Sequence, residues 1–127
     1  MIPTNFSLHL RYRLWIADLN ADITILRILD DAIRELRTLG KEHTLLSKAS
    51  DYEQQFINYR REIDDLKHEM HLMKMKMAAN SREIQPGNKL PEENHHQEVL
   101  EQKYSDFRQR FEQLKNGMLE FETQLKP

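Results

Sequence analysis

The chain has 127 residues, a length that suits one domain, and its net charge of −2, with no strongly basic block, excludes the electrostatic footprint of a nucleic-acid-binding protein. It contains no cysteine, which excludes disulfides, cysteine-based zinc sites and thiol catalysis. Charged residues make up 31% of the chain, with only 3 Gly and 4 Pro, and this composition favours long helices.

The N-terminal residues 1–19 differ from a leader or a membrane anchor. Arg11 and Arg13 interrupt their apolar residues, and no charged segment precedes a clean apolar one. We therefore expect no signal peptide, no transmembrane span, no membrane partner and a cytoplasmic location.

The first predicted helix covers residues 6–39, and Gly40 is placed to end it as the C′ residue. Its apolar row recurs at spacings of three and four: Leu8, Tyr12, Trp15, Leu19, Leu26, Leu29, Ile33 and Leu36. Asp22 occupies one position of this row. We favour a rotation of the helix that turns Ile23 inward and Asp22 outward. The alternative is a buried Asp22 that sets the register.

The first helix also carries a second apolar row beside the first one, interrupted by Asp18 and Glu35. An apolar stripe this wide is typical of a helix that is buried on more than one side. Either the helix lies deep between its two neighbours, or the second row binds a partner, most simply a second copy of the chain. We predict an interaction surface consisting of Leu14, Ala21, Ile25, Ile28, Ala32 and Leu39.

The second predicted helix covers residues 45–80, and its start is left open. Ser50-x-x-Glu53 has the pattern of a capping box, whereas Leu45 belongs to an earlier apolar turn. The apolar row of this helix consists of Ala49, Tyr52, Phe56, Tyr59, Ile63, Leu66, Met70, Met73 and Met77.

A loop is predicted over residues 81–91, which contain a Pro-Gly turn and a second proline. Pro91 suits the first position of a third helix, predicted over residues 92–125. The third apolar row consists of Leu100, Tyr104, Phe107, Phe111, Leu114, Met118, Phe121 and Leu125.

The three rows match each other as antiparallel neighbours, whose paired residue numbers add up to a constant. The second and third rows match at a sum of about 170, and the first and second at about 85. The first of these registers places Glu69 opposite Lys103 and Glu53 opposite Lys115. A sum near 163 pairs the charges equally well but covers the end of the second row less. We therefore predict an all-α fold, a single domain over residues 1–127, built as an antiparallel up-down-up bundle of three helices with heptad packing.

Residues 67–77, KHEMHLMKMKM, raise the question of a metal site. The methionines of the apolar row point inward in the predicted register, whereas His68 and His71 point outward, so a copper site with both ligand types is not expected. Asp64, His68 and His71 share an outer helical face at a spacing that can hold a divalent ion weakly. They remain the metal candidates, although we predict no metal site and no cofactor.

No catalytic residue is predicted. Serines and threonines lie mainly near helix ends, and the three glycines form no phosphate-binding loop, so we do not expect an enzyme. In general architecture such a bundle resembles a spectrin-type repeat or the helical chaperones of export systems. We expect a non-enzymatic interaction or scaffold protein with a protein partner, forming a homodimer through the first helix. The alternatives are a metal- or ligand-binding bundle, or an export-type chaperone or adaptor that binds a partner helix.

Overall fold

Three long helices account for the described part of the chain. The computed structural model describes residues 4–40, 42–83 and 91–125. Its elements are α1 (Thr4–Leu39), α2 (His43–Glu83) and α3 (Pro91–Leu125). The all-helical fold predicted from composition and spacing is therefore confirmed within these ranges.

Helix α2 begins at His43, two residues before the predicted start. The N–H of Leu46 donates to the carbonyl of Glu42 at 3.0 Å, which places Glu42 at the N-cap position. Ser50 and Glu53 therefore lie inside the helix, and the capping-box interpretation of this pair is wrong.

At its other end α2 continues to Glu83, so the prediction of a loop from residue 81 is wrong for its first three residues. The physical reason is that the first residue incompatible with a helix interior in this stretch is Pro86. Helix α3 begins at Pro91, which confirms the predicted role of this proline as the first helical residue. The rest of the predicted loop, residues 84–90, lies outside the described residues.

The chain divides into two compact units. The terminal unit consists of Met1–Tyr12 and His68–Pro127, and the α1–α2 unit consists of Arg13–Lys67. The boundaries between them lie within the helices α1 and α2 and not at loops.

The core of the α1–α2 unit contains the predicted rows of both helices. No described member of either row is exposed within this unit, and two isoleucines outside the predicted row are also buried. The buried apolar side chains are Ile16, Leu19, Ile23, Leu26, Ile33, Ala49, Phe56, Ile63 and Leu66.

Asp22 is buried, with 2% of its surface exposed, and the favoured interpretation that it points outward is wrong. Ile23 is buried as well, and so is Ile16, so the buried face of α1 is broader than one heptad row. The face has also turned towards these two isoleucines. Three members of the predicted row are consequently only half-buried: Trp15, Leu29 and Leu36.

Arg37 joins the end of α1 to the start of α2. Its Nε donates to Oε1 of Glu53, and its Nη2 donates to Oγ of Ser50 at 2.9 Å. Because both charged side chains remain about one-third exposed, this ion pair contributes on the order of 0.2–1 kcal/mol. Lys115, the partner predicted for Glu53, forms an ion pair with Glu112 on α3 at 2.6 Å.

Gly40 follows α1 directly, as predicted, but for a different reason. Its φ lies outside the left-handed region that a C′ glycine usually adopts. A Cβ at this position would lie 2.7 Å from Cδ2 of Leu45. The glycine therefore provides room for the Leu45 side chain where the chain turns into α2.

The core of the terminal unit is rich in methionine and aromatic side chains. Its buried apolar residues are Leu8, Tyr12, Met70, Met73, Met77, Leu100, Tyr104, Phe107, Phe111, Leu114, Met118 and Phe121. The prediction that the row methionines point inward is therefore confirmed. Methionine is unbranched and polarizable, so it can fill irregular gaps between aromatic rings.

Ion pairs connect the helices of the terminal unit on its surface. Nζ of Lys103 lies 3.1 Å from Oε1 of Glu69, the pair that the predicted register places face to face. Nη1 of Arg11 lies 3.0 Å from Oε1 of Glu101, which links α1 to α3.

Three aromatic rings on α3 share one cationic neighbour. The Phe107 and Phe111 rings stack with centroids 5.4 Å apart and an interplanar angle of 25°. The guanidinium of Arg108 lies 5.3 Å from the Tyr104 ring centroid and 5.4 Å from that of Phe107. Cation–π contacts contribute about 0.5–1 kcal/mol each at exposed sites. The contacts of Arg108 therefore stabilise the packing of these aromatic rings.

Truncation of a core ring should strongly reduce stability. Phe107 is fully buried, so Phe107→Ala should lower the free energy of unfolding by about 3–5 kcal/mol, through lost burial and the cavity left behind. Urea unfolding followed by circular dichroism at a fixed protein concentration measures this change. The matched control is Leu119→Ala on the same helix, because Leu119 is 64% exposed and should change stability by less than about 0.5 kcal/mol. Equal effects of the two substitutions would contradict the assignment of the core.

Candidate interaction surface on the first helix

The second apolar row of α1 is exposed to solvent. We call it the α1 surface: Leu14, Ala21, Ile25, Ile28, Ala32 and Leu39. Leu14 is 57% exposed, Ile28 61% and Leu39 79%, both alanines are exposed, and Ile25 is half-buried. All six residues lie within the α1–α2 unit. Within this unit, the part of α2 that packs on α1 leaves Leu14, Ile28 and Leu39 exposed.

The reason for this exposure lies in the direction of the buried face of α1. Ile16 and Ile23 contribute to the core from the side of the helix that is remote from the α1 surface. The core of this unit therefore takes its apolar area from the far side of the helix, and the α1 surface is not part of that core.

The two edges of the α1 surface differ in chemistry. One edge is apolar and half-buried, formed by Trp15, Leu29 and Leu36. The other is exposed and mainly polar, formed by Ala17, Thr24, Asp31 and Thr38. Asp18 and Glu35, which interrupt the surface itself, are both exposed. The α1 surface therefore has one apolar edge and one mainly polar edge, and two carboxylates lie along its length.

Exposed apolar side chains also occur elsewhere in the described residues: Phe6, Leu10, Ile57, Leu72, Met75, Val99, Leu119 and Leu125. Ile57 on α2 is 53% exposed and Leu119 on α3 is 64% exposed, and neither belongs to an apolar heptad row. Single exposed apolar residues are normal in soluble proteins. The α1 surface differs from them in that its apolar residues recur at heptad spacing along one helix.

The terminal unit contains a shallow cleft between α2 and α3. Its volume is about 320 Å³, and it is lined by Glu69, Leu72, Met73, Lys76, His96, Val99, Leu100 and Lys103. Leu72 and Val99 are 40% and 39% exposed, so the apolar floor is open to solvent. The Glu69–Lys103 ion pair closes one side of the rim. The volume is at the lower end of the range for small-molecule sites.

The metal candidates are not brought together with further ligands. Asp64, His68 and His71 are all exposed on α2, and Asp64 pairs with Arg60 at 3.4 Å. Within residues 4–40, 42–83 and 91–125, no group of three or more potential His, Cys, Asp or Glu ligands is close enough to hold a metal ion. The histidines His95 and His96 at the start of α3 are exposed as well.

Tyr12 has the most distinctive electrostatic environment among the described groups of the terminal unit. Its side chain is fully buried, and burial raises the pKa of the Tyr12 phenol from its ordinary 10.0 to about 12. The negative charge of Glu101 also contributes to this rise, and the positive charge of Arg11 lowers the pKa. This raised pKa could not be predicted from residue spacing, because it depends on how α1 packs in the terminal unit.

Comparisons with known proteins return no match. No protein-family model, curated protein or solved structure matches the chain. A separate finding concerns membranes: among the described helices, none has both the length and the apolar composition needed to cross a bilayer.

The buried Tyr12 phenol predicts a loss of stability at high pH. The folded protein holds the phenolic proton more tightly than the unfolded chain, so this contribution is complete below pH 10 and is lost as the pH rises towards about 12. Urea unfolding at a series of alkaline pH values should show that the wild-type protein loses more stability than Tyr12→Phe over this window. Spectrophotometric titration at the tyrosinate absorption band should show one late-ionising phenol that is missing in Tyr12→Phe. Identical titration curves would contradict the assignment.

Proposed function

We propose that this protein is a non-enzymatic helical interaction protein that forms a homodimer through the α1 surface. The observation that carries the proposal is the row of apolar residues from Leu14 to Leu39, in which Leu14, Ile28 and Leu39 are exposed. Burying apolar area contributes about 25 cal/mol per Å², so a row of this length in water favours association. The row spans 26 residues of one helix, roughly 39 Å, which is long enough for a specific helix–helix interface.

Within each unit, we propose that sequential helices are antiparallel neighbours with heptad packing, which makes the chain an up-down-up bundle. In the terminal unit, the Glu69–Lys103 ion pair supports the register near 170 over the one near 163. In the α1–α2 unit, the contacts of Arg37 with Ser50 and Glu53 support the register near 85. The buried apolar rows provide the side chains that knobs-into-holes packing between such helices requires.

A second copy of the chain is the partner that the α1 surface favours most. Two-fold dimers are the commonest assemblies of soluble proteins, and a two-fold interface uses the same patch on both copies. The small side chains of Ala21 and Ala32 allow two helices to approach closely.

A charge placed on the α1 surface should separate the dimer. We expect a particle of twice 15.3 kDa for the wild-type protein by light scattering at micromolar concentration, and 15.3 kDa for Ile28→Glu. The reason is that the substitution removes the apolar Ile28 side chain from the interface and places one buried carboxylate from each copy there.

The matched control for this experiment is Ile57→Glu. Ile57 has the same side chain, belongs to the same unit and is 53% exposed, but lies on α2 outside the α1 surface. It should leave the dimer intact. Circular dichroism of both variants checks that the helices are retained. A wild-type protein that stays monomeric up to about 100 µM would contradict the proposed homodimer, because its dissociation constant would then lie well above the micromolar range.

A further inference from the structure

The α1 surface has the same order of side chains in both directions of the chain. Together with Asp18 and Glu35, its six residues occupy eight positions that are spaced alternately by four and three residues. In chain order these positions carry Leu, Asp, Ala, Ile, Ile, Ala, Glu and Leu, so the second half reverses the first half, with Glu35 in the place that corresponds to Asp18. When two such helices pack antiparallel, each side chain therefore lies opposite one of similar size on the second copy.

We infer that two copies dock their α1 surfaces antiparallel, with a two-fold axis that passes between Ile25 and Ile28. This inference rests on the self-association proposed above and adds its direction and register. Every layer then joins side chains of matching size. Across the two copies the apolar layers pair Leu14 with Leu39, Ala21 with Ala32, and Ile25 with Ile28.

A parallel dimer would not need the reversed order. In a parallel pair each residue meets its own counterpart, so sizes match for any sequence. In an antiparallel pair, large residues oppose large ones only if the sequence is reversed about the axis. The six residues of the α1 surface, together with Asp18 and Glu35, have such a reversed order of side-chain sizes.

The edges of the α1 surface favour the same direction. Antiparallel helices bring like edges together, so the half-buried edge around Trp15 and Leu36 meets itself, and the polar edge around Ala17 and Thr38 meets itself. Parallel helices bring unlike edges together, which would place leucines against threonine and aspartate. The antiparallel arrangement therefore completes the burial of the half-exposed Trp15, Leu29 and Leu36.

The core of the α1–α2 unit does not obstruct this docking. The most deeply buried row of α1, which contains Leu19, Leu26 and Ile33, lies roughly 130° around the helix from the centre of the α1 surface. The second copy therefore approaches α1 from the side that the core leaves open.

The acidic layers distinguish the two directions by charge. In the antiparallel register Asp18 faces Glu35 of the second copy, twice in each dimer. In a parallel dimer Asp18 would face Asp18, and Glu35 would face Glu35. Replacement of one acid by a base therefore creates opposite-charge layers only in the antiparallel dimer.

Cross-linking between single cysteines tests the direction. The natural chain has no cysteine, so Ala17→Cys and Thr38→Cys each introduce a unique thiol on the polar edge. In the antiparallel dimer each thiol lies about 30 Å from its own counterpart but next to the other variant's thiol. After subunit exchange, a short bis-maleimide should cross-link the mixture of both variants and neither variant alone. Cross-linking of Ala17→Cys alone would overturn the inference.

The dissociation constant provides a second test. Glu35→Lys should tighten the dimer about tenfold, because both acidic layers become Asp–Lys pairs, whereas Glu35→Gln should give a smaller gain. In a parallel dimer Glu35→Lys would bind no more tightly than Glu35→Gln, and this result would overturn the antiparallel register. Sedimentation equilibrium measures all three dissociation constants. A monomeric wild-type protein would instead contradict the proposed function itself, so the two failures are distinguishable.

Discussion

The structure depends on one helix that carries two apolar faces. Helix α1 has 36 residues, and its apolar positions lie on two neighbouring faces of the helix. The fold buries the face that contains Leu19, Leu26 and Ile33, and this choice leaves Ile28 and Leu39 in water. The exposed second face is the reason for the homodimer that we propose.

The choice of buried face has a visible consequence at Asp22. A carboxylate would be better solvated on the outside, yet the α1–α2 unit buries it together with Ile16 and Ile23 on the same turns of the helix. A rotation of α1 that turned Asp22 towards solvent would move Ile16 and Ile23 further into the core. The same rotation would move Trp15 and the other half-buried residues of its row out of the core. The observed position is a compromise in which Asp22 is covered and Trp15 is half-exposed.

The sequence was sufficient for the helices and for most of the core, because heptad spacing depends only on which residues are apolar. The rows of α2 and α3 are buried almost throughout, as predicted, and Leu125 at the end of α3 is the exposed exception. Errors arose where tertiary contacts override local rules. Ser50 matched a cap but bonds to Arg37, and Gly40 matched a C′ glycine but makes room for Leu45.

The candidate site could be named from the sequence, but its exposure could not. Periodicity shows that Ile28 lies on a second face, whereas only packing decides whether that face is covered. The burial of Ile16 and Ile23 decided it, and neither belonged to the predicted row. The histidines show that spacing alone is not sufficient. His68 and His71 have the spacing of metal ligands, but the described residues contain no group of three or more potential ligands close enough to hold a metal ion.

The order of side chains along the α1 surface also sets the strength of the proposed dimer. The isoleucine layers at the centre bury the most apolar area, and the layers of Ala21 and Ala32 on either side contribute close contact but little area. The acidic layers of Asp18 and Glu35 then place like charges together before the leucines at the ends resume apolar contact. A surface optimised for permanent association would fill these four positions with leucine or isoleucine. The two acids and two alanines therefore favour a dimer that forms and separates at equilibrium, and they place most of its affinity at Ile25 and Ile28.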